Sequence, residues 1–295
     1  MQLKTPKILS DALAGEIQKL TLPKSLYPFL DALHSKIKSA FPEGDPELIS
    51  SGLPFKNLNK RMNVLRASVY DDSNIKKKFI PILEYLEIPV DDFYSDLFRL
   101  RCVPSFFQER EGSELVQYLH RDPWYANPQC QLNFWIPLSP VEEGSGFGIY
   151  TEYFDRPIPN NSDQFDYSHW LETGGFQANE NPKLQEKIFP KPSQLPENSK
   201  IDSVYGSFGD VVIFSSHHLH GTQANTMDRS RFSLEIRFVL KEWIQNKLGP
   251  TNLDNLSHGT TLGEMTHIQN GQAIDENFIQ NYVAEFARSQ SILVP

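Results

Sequence analysis

Three residues of this chain have the types and the spacing that a metal ion requires, namely His120, Asp122 and His220. Successive side chains of a β-strand point to opposite faces, so two residues that lie two positions apart point the same way. His120 and Asp122 can therefore present an imidazole nitrogen and a carboxylate oxygen to one ion. His220 follows a hydrophobic run much later in the chain and can bring a second imidazole from a distant strand.

The three side chains together predict a particular kind of metal site. Two neutral imidazoles and one carboxylate on one face of an octahedron leave the other positions open, which is the ligand set associated with non-heme Fe(II). The neighbouring His217 and His218 are alternatives to His220 if a bulge shifts the strand, and strict alternation would place His218 on the same face as His220. We favour His220 because Gly221 permits a close backbone approach.

Arg231 and Ser233 predict an anion site near this metal. They lie two positions apart on a predicted strand at 231–240 and so share a face. Fe(II) with one carboxylate ligand keeps a single positive charge, so a dicarboxylate such as 2-oxoglutarate would make the site net negative. A buried, unpaired carboxylate is costly. A guanidinium with a hydroxyl beside it can bind such a group bidentately, and we predict this role for Arg231 and Ser233.

In these residues and their spacing, the chain resembles the Fe(II)/2-oxoglutarate-dependent oxygenase superfamily, and most of all its phytanoyl-CoA dioxygenase-like branch. The resemblance covers residues 97–240. Its shared features are His-x-Asp at 120–122, Trp-Ile-Pro-Leu at 135–138, Gly-Asp at 209–210, His-Gly-Thr at 220–222 and an arginine eleven positions after His220. This register also favours His220 over His218. The glycine-rich stretch at 142–148 departs from the family because no Pro-Gly-Ser-His follows it, so the loops on the substrate side differ.

The resemblance implies a fold and a reaction. The fold would be mainly β with flanking helices, a double-stranded β-helix (jelly roll, cupin-like) that holds iron. The reaction would consume O2, decarboxylate 2-oxoglutarate to succinate and oxidise, by default hydroxylate, a C–H bond of a small-molecule metabolite or natural product. Asp122 argues against halogenation, because halogenases of the superfamily carry glycine or alanine at that position. Desaturation, ring closure and C–N cleavage stay open, since each can begin with hydrogen abstraction.

Two other functions remain as alternatives within this interpretation. One is hydroxylation of a protein or peptide side chain by the same chemistry. The other is a metal-binding jelly-roll protein without catalytic activity, which would have no need of a dicarboxylate anchor at Arg231 and Ser233.

A competing motif match involves the same histidine and aspartate. His120-Arg121-Asp122 followed by Asn127 also fits the catalytic loop of protein kinases. Phosphoryl transfer needs holders for phosphate and magnesium. The chain has no Gly-x-Gly-x-x-Gly upstream and no Asp-Phe-Gly or Ala-Pro-Glu downstream, which excludes the kinase interpretation.

Hydrophobic periodicity predicts a single oxygenase domain over residues 1–295 with three regions. Helical periods mark residues 1–96, with amphipathic helices around 26–41 and 75–86, the second bent or interrupted at Pro81. A period of two marks the jelly-roll core at 97–240. We expect its strands at 97–103, 129–138, 147–154, 210–219 and 231–240. In the C-terminal helical region at 241–295, Asp275 can cap a last helix that docks on the barrel or forms a homodimer contact.

The segment at 155–205 is predicted to be an insertion that acts as a mobile lid. It is rich in proline and polar residues and lies between core strands, where a compact domain normally uses a short turn. Because a reactive site must be shielded from water, a closing segment would have a purpose there. Tyr167, His169 and Trp170 are its candidate substrate contacts.

The predicted strand at 129–138 has one apolar and one polar face. Asn133 on the polar face either meets water or contacts cosubstrate or substrate. Trp135 shares this face and is more typical of packing than of substrate contact. On the strand at 97–103, Arg99 and Arg101 share a face, which fits a solvated edge better than recognition of an anionic substrate.

Composition limits the classes of partner. The chain has 295 residues, a formal net charge of -9 and no basic stripe, which argues against nucleic-acid binding. The run Lys76 to Lys78 is typical of a solvated helix face. The apolar stretches are too short for a membrane span, and the N-terminus lacks a signal pattern. The two cysteines are too few for a disulfide framework, which together with the missing signal pattern predicts a cytoplasmic protein. We expect its substrate to be a small molecule.

Overall fold

The computed structural model describes residues 5–70, 72–109, 119–173, 189–194 and 199–290, except for the side chains of 286–290. Parts of the predicted lid, at 174–188 and 195–198, therefore lie outside the described residues. So does the side chain of Phe286 in the last helix.

Five of the described helices lie in the first 85 residues, and three more follow within and after the sheets. Those before the core are α1 (Lys7–Leu13), α2 (Tyr27–Ala40), α3 (Pro46–Gly52), α4 (Phe55–Tyr70) and α5 (Ser73–Tyr85). Three later helices are α6 (Tyr167–Glu172), α7 (Lys241–Gln245) and α8 (Glu276–Gln290). Asp45 and Asp72 cap α3 and α5 by accepting backbone N–H groups of the first turn. Helix α5 continues through Pro81, so of the two predicted outcomes the interruption does not occur, and the bend stays a prediction.

In the described part of the chain, ten strands form two antiparallel sheets. The strands are β1 (Gln18–Thr21), β2 (Phe93–Ser95), β3 (Arg99–Val103), β4 (Leu132–Pro137), β5 (Phe147–Tyr150), β6 (Asp202–Val204), β7 (Asp210–Ser215), β8 (Leu219–Thr222), β9 (Arg231–Leu240) and β10 (Thr266–His267). The larger sheet has the order β1-β7-β4-β9-β2-β10, with β3 also paired to β9, and the smaller has the order β6-β5-β8. The molecule is therefore sheet-rich with flanking helices, as predicted.

The two faces of β9 explain how the sheets pack. Its even positions, Phe232 to Phe238, belong to the main apolar core, which the N-terminal helices cover. Its odd positions from Arg231 to Arg237 carry polar side chains and face the smaller sheet, whereas Val239 belongs to the main core. A second apolar cluster fills the space between the sheets and contains Trp135, Phe147 and Phe214. The interior between the sheets is thus apolar in one part and charged in another.

The prediction of one strand at 210–219 was wrong. The chain forms β7 in the larger sheet, turns at 216–218, and continues as β8 in the smaller sheet. The turn residues Ser216, His217 and His218 are themselves buried and include no glycine or proline, so no turn signal marks the break in the sequence. Likewise the strand predicted at 147–154 ends at Tyr150, where a 3-10 turn follows.

The C-terminal helix α8 docks on the body of the protein. Ile279 is buried, and Phe278, Tyr282 and Val283 pack against the main core. The predicted buried face of this helix is therefore used within the chain. Among the described residues no helix combines the length and apolar character needed to cross a bilayer.

Candidate metal centre

Backbone pairing brings His120 and His220 together. Each donates its backbone N–H to the carbonyl of the other at 2.9 Å, so the segment at His120 adds an edge to the smaller sheet beside β8. Their ring centroids lie 4.5 Å apart. Asp122 begins a 3-10 turn, and its N–H donates to the carbonyl of Ser216 at 3.1 Å. One ligand atom from each of His120, Asp122 and His220 lies within 4.8 Å of the others.

The carboxylate of Asp122 accepts hydrogen bonds on one oxygen, whereas the other has an ion pair with Arg237 but no hydrogen bond. Oδ2 accepts hydrogen bonds from Asn133 Nδ2 at 2.6 Å and Gln131 Nε2 at 3.3 Å. Oδ1 lies 3.7 Å from His120 Nε2 and is buried without a hydrogen bond. A buried oxygen left in this way is expected to have another partner. A metal ion between the two imidazoles would supply it.

Electrostatics keep Asp122 ionised. Burial acts to raise the pKa of its carboxyl group, but Arg237, then His120 and His220, outweigh burial and hold that pKa well below its usual range. Arg237 Nη2 lies 3.3 Å from Asp122 Oδ1. A carboxylate must be deprotonated to bind a metal, so this charge state suits a ligand.

His220 is oriented for the same task. Its Nδ1 lies 2.9 Å from the carbonyl of His218, which fixes the ring and turns Nε2 toward His120 and Asp122. Burial, followed by His120, lowers the pKa of His220 to about 4. The ring is thus neutral at physiological pH, as a metal-binding imidazole must be.

His217 and His218 point away from the candidate site. His218 Nδ1 and Nε2 lie 3.1 Å from the carbonyls of Ser215 and Gly15. His217 Nδ1 lies 3.1 Å from Gln129 Oε1. The expectation that His218 shares a face with His220 was wrong, because the turn between β7 and β8 interrupts the alternation.

Arg121, the middle residue of the motif, is fully buried and ties three segments together. Its guanidinium donates to the carbonyls of His217, Tyr153 and Arg156 and lies 3.2 Å from Asp254. Asp254 also accepts from Trp124 Nε1 at 2.8 Å and from the N–H of Ile158 at 2.9 Å. The metal-ligand segment is therefore fixed to the start of the 155–205 segment and to the C-terminal region.

Arg231 and Ser233 lie side by side between the sheets, and both have an unused donor. Arg231 Nη1 donates to the carbonyls of Ser145 and Gly146 at 2.7 and 2.6 Å, while its Nε and the Ser233 hydroxyl are buried without hydrogen bonds. Among the residues that the structure describes, no carboxylate pairs with Arg231. Burial, followed by Arg101, lowers its pKa to about 10, which still leaves it charged at neutral pH.

Arg99 and Arg101 lie on the strand β3, which pairs only with β9 among the described strands, but both are ion-paired rather than freely solvated. Arg101 lies 2.8 Å from Glu235, and Arg99 lies 2.7 Å from the buried Asp96. Glu235 also lies 2.9 Å from Arg237, which continues the chain of charges to Asp122. Burial acts to raise the pKa of Glu235, but Arg101 and Arg237 hold it at about 2. These side chains meet because they share the odd face of β9 and its neighbour β3, and Arg101 at the rim of that face stays partly exposed.

The polar face of β4 and of the preceding Gln131 is buried from solvent. Gln131, Asn133 and Trp135 are all at most 4% exposed. Asn133, a candidate cosubstrate contact, instead donates to Asp122 and accepts from Gln131 at 3.0 Å. Trp135 packs against Phe147 at a centroid distance of 4.9 Å, as its type suggested.

The described part of the predicted lid places an aromatic group beside the ligands. Tyr125 contacts the His120 ring and Phe165, each at 5.3 Å between centroids, and Phe165 contacts Trp170 at 5.6 Å. Tyr167 belongs to the same apolar cluster, and its buried hydroxyl has no hydrogen bond. The side chain of His169 is exposed on α6. The end of the predicted insertion is β6, a strand of the smaller sheet.

Sequence reasoning missed Gln131, Glu235 and Arg237 as parts of the site. Arg237 and Glu235 continue the i, i+2 alternation that singled out Arg231 and Ser233, so the signal was present. Gln131 shared a face with Asn133. The partners of these side chains, in contrast, depend on which strands become neighbours.

Comparison with known proteins gives limited information. No established protein family matches the chain, and no curated protein is similar in sequence. Among solved structures, EvdO2 from Micromonospora carbonacea var. aurantiaca matches with a TM-score of 0.38, 13% identity and coverage of 62% of this chain and 63% of that chain. The chain thus spans less than two thirds of the length of EvdO2.

Two further structures match over more of the chain. ThoJ, a non-heme monooxygenase, has a TM-score of 0.40, 10% identity and coverage of 96% and 95% of the two chains. EctD from S. alaskensis has a TM-score of 0.42, 13% identity and coverage of 84% and 81%. At this level the likeness settles no function, and the function proposed below rests on the residues of the site.

Proposed function

We propose that the protein is a non-heme Fe(II)- and 2-oxoglutarate-dependent dioxygenase. The observation that carries this proposal is the buried Asp122 Oδ1, which has no hydrogen bond and faces the ring nitrogens of His120 and His220. This set of two imidazoles and one carboxylate fits Fe(II) and leaves positions for other ligands. A site that served only structure would be expected to close its coordination with further protein ligands.

Arg231 and Ser233 support 2-oxoglutarate as the cosubstrate. A buried guanidinium without an anionic partner is costly, and its unused Nε beside a free Ser233 hydroxyl offers two donors to a carboxylate. The neighbouring carbonyls of Ser145 and Gly146 hold the guanidinium in place. A dicarboxylate could thus bind the metal with one end and Arg231 with the other. A metal-binding protein without catalytic activity has no use for this second anchor.

For the fold, we propose a double-stranded β-helix within a single domain. From β3 onward the chain passes from the larger sheet to the smaller at His120, back at β4, across at β5 and β6, back at β7, across at β8 and back at β9. This alternation between two facing antiparallel sheets is typical of a jelly roll. The core would span residues 97–240, with helical regions at 1–96 and 241–295.

Bound iron would supply oxygen activation coupled to decarboxylation of 2-oxoglutarate to succinate. The residues of this chain prepare the site for it. Gln131 and Asn133 orient Asp122, and the His218 carbonyl orients His220. The aromatic group of Tyr125, Phe165 and Trp170 excludes water beside His120. We propose hydroxylation of a C–H bond in a small molecule as the reaction. Halogenation is disfavoured because Asp122 would occupy the metal-ligand position that a halide would need.

The test is succinate release by the purified protein with Fe(II), 2-oxoglutarate and O2. We expect release above a metal-free control, and no release from His220→Ala. Slow turnover without substrate suffices for this measurement. If the folded, iron-treated protein neither releases succinate nor binds 2-oxoglutarate, the proposed function is wrong.

A further inference from the structure

The charged groups around the candidate metal centre do not balance. Two ion-pair series run through this interior, one from Asp122 through Arg237 and Glu235 to Arg101, and the other between Asp96 and Arg99. Arg231 stands outside both. Among the described residues, four guanidinium groups therefore face three carboxylates, which leaves one positive charge in excess.

The excess remains when the proposed cofactor and cosubstrate are bound. Fe(II) brings two positive charges, and the two carboxylates of 2-oxoglutarate cancel them. A facial triad that has only one anchoring arginine would be neutral in this state. The extra charge of this chain comes from Arg99, Arg101 and Arg237, which only Asp96 and Glu235 oppose. An unbalanced charge in a desolvated site is costly, so a further anion is expected there.

Arg101 is the guanidinium best placed to receive that anion. Its side chain is 36% exposed, whereas that of Arg237 is 12% exposed. Arg231 is 2% exposed. Arg101 reaches outward because β3, which carries it, pairs within the sheet only with β9. It uses Nε and Nη2 on a single oxygen of Glu235, and its Nη1 has no acceptor among the residues that the structure covers.

The neighbourhood also contains an apolar wall. The Tyr167 hydroxyl lies on the side of Arg99, beside the solvent-exposed Glu264. Asp96 lies there too, but its charge is already matched by Arg99. The aromatic group of Tyr125, Phe165 and Trp170 lies between this side and His120.

On this basis we propose that the substrate is a small molecule with an apolar body and an anionic group, a carboxylate, which binds Arg101. The inference rests on the proposed function. The anionic group would neutralise the one charge left in the loaded site, and the ion-pair series through Glu235 and Arg237 would set its distance from the metal. Arg101 is accordingly a specificity-determining residue.

The test compares matched acids and amides. Benzoate, phenylacetate and 3-phenylpropanoate, each with its carboxamide, are titrated calorimetrically into the anaerobic protein saturated with Fe(II) and 2-oxoglutarate. We expect the tightest carboxylate to bind about tenfold or more better than its amide, because a half-buried charge pair is involved. Arg101→Gln should abolish the preference and Arg101→Lys should keep most of it. Arg229→Gln, which changes an arginine paired with Glu47, should leave it unchanged.

Two results would overturn the inference. One is equal binding of acids and amides to the loaded protein, and the other is an undiminished preference in Arg101→Gln. Failure of the proposed function has a different signature, since the protein would then show no binding of 2-oxoglutarate to the Fe(II) form before any acid or amide is added.

Discussion

The Arg237 guanidinium lies 3.3 Å from Oδ1 of Asp122, the same oxygen that faces the two histidine rings. A metal ion bound there must share this oxygen with a permanent positive charge. Glu235, 2.9 Å from Arg237, offsets part of that charge. At the proposed site, metal affinity would therefore depend on the neighbours of the Asp122 carboxylate as well as on the three ligands.

Opposite effects are expected when these two neighbours are neutralised. Arg237→Met removes a cation beside the metal and should tighten Fe(II) binding by about tenfold or more, whereas Glu235→Gln removes an anion and should weaken it by a similar factor. Anaerobic Fe(II) titration measures both. Mere structural damage would weaken binding in both variants, so a loss of affinity in Arg237→Met contradicts the electrostatic explanation.

The ligand set itself can be tested against its nearest alternative. His120→Ala, Asp122→Ala and His220→Ala should each lose Fe(II) binding and the visible absorption that appears when 2-oxoglutarate is added. His218→Ala should keep both, because its ring nitrogens face the carbonyls of Ser215 and Gly15. Retention of the absorption in His220→Ala together with its loss in His218→Ala would move the assignment by two residues.

Arg231→Ala should weaken 2-oxoglutarate binding far more than metal binding. Removing one partner of a desolvated charge pair costs about 2 to 5 kcal/mol, which corresponds to a loss of at least about tenfold. Ser233→Ala should cost about 1 kcal/mol, the value of one hydrogen bond. Arg229→Ala is the matched control because Arg229 is 42% exposed and pairs with Glu47. A larger effect from Arg229 than from Arg231 would contradict the anchor.

Asn133 should act through Asp122 rather than on the cosubstrate. Asn133→Ala removes the 2.6 Å hydrogen bond to Oδ2 and frees the carboxylate to rotate. Loss of such an orienting partner typically lowers metal affinity by about 10 to 100-fold. Fe(II) titration checks this, with the exposed Asn270→Ala as control. If instead 2-oxoglutarate affinity falls at unchanged metal affinity, Asn133 contacts the cosubstrate after all.

Buried histidines should make the metal-free protein sensitive to acid. Burial is the main cause that lowers the pKa of His217 to about 3 and that of His218 to about 4, from an ordinary value of 6.5. Below pH 6.5 the unfolded chain binds protons at these rings while the folded chain does not, so stability should fall as the pH drops toward 4. Urea denaturation at pH 7.5, 6 and 5 measures this. His217→Gln should reduce the pH dependence and His169→Gln, on an exposed residue, should not.

Parts of this site were predictable from the sequence for a definite reason. Positions two apart on a strand share a face wherever the strand lies, which is why Arg231 and Ser233 could be paired without knowing the sheet order. The same rule failed for His218, because the chain changes sheets between β7 and β8 without a glycine or proline to mark the turn. It also could not show that Arg101 meets a carboxylate, since Glu235 belongs to a strand that is distant in the chain.

The buried ion pair between Arg121 and Asp254 bears on when the protein can acquire its metal. His120 and Asp122 are synthesised well before Asp254, yet the guanidinium between them stays without its buried counter-charge until that aspartate has left the ribosome. A nascent chain that ends near residue 240 would carry all three candidate ligands but an uncompensated arginine at their centre. We therefore expect iron to be acquired after synthesis is complete, with the C-terminal region as the final closure of the metal centre.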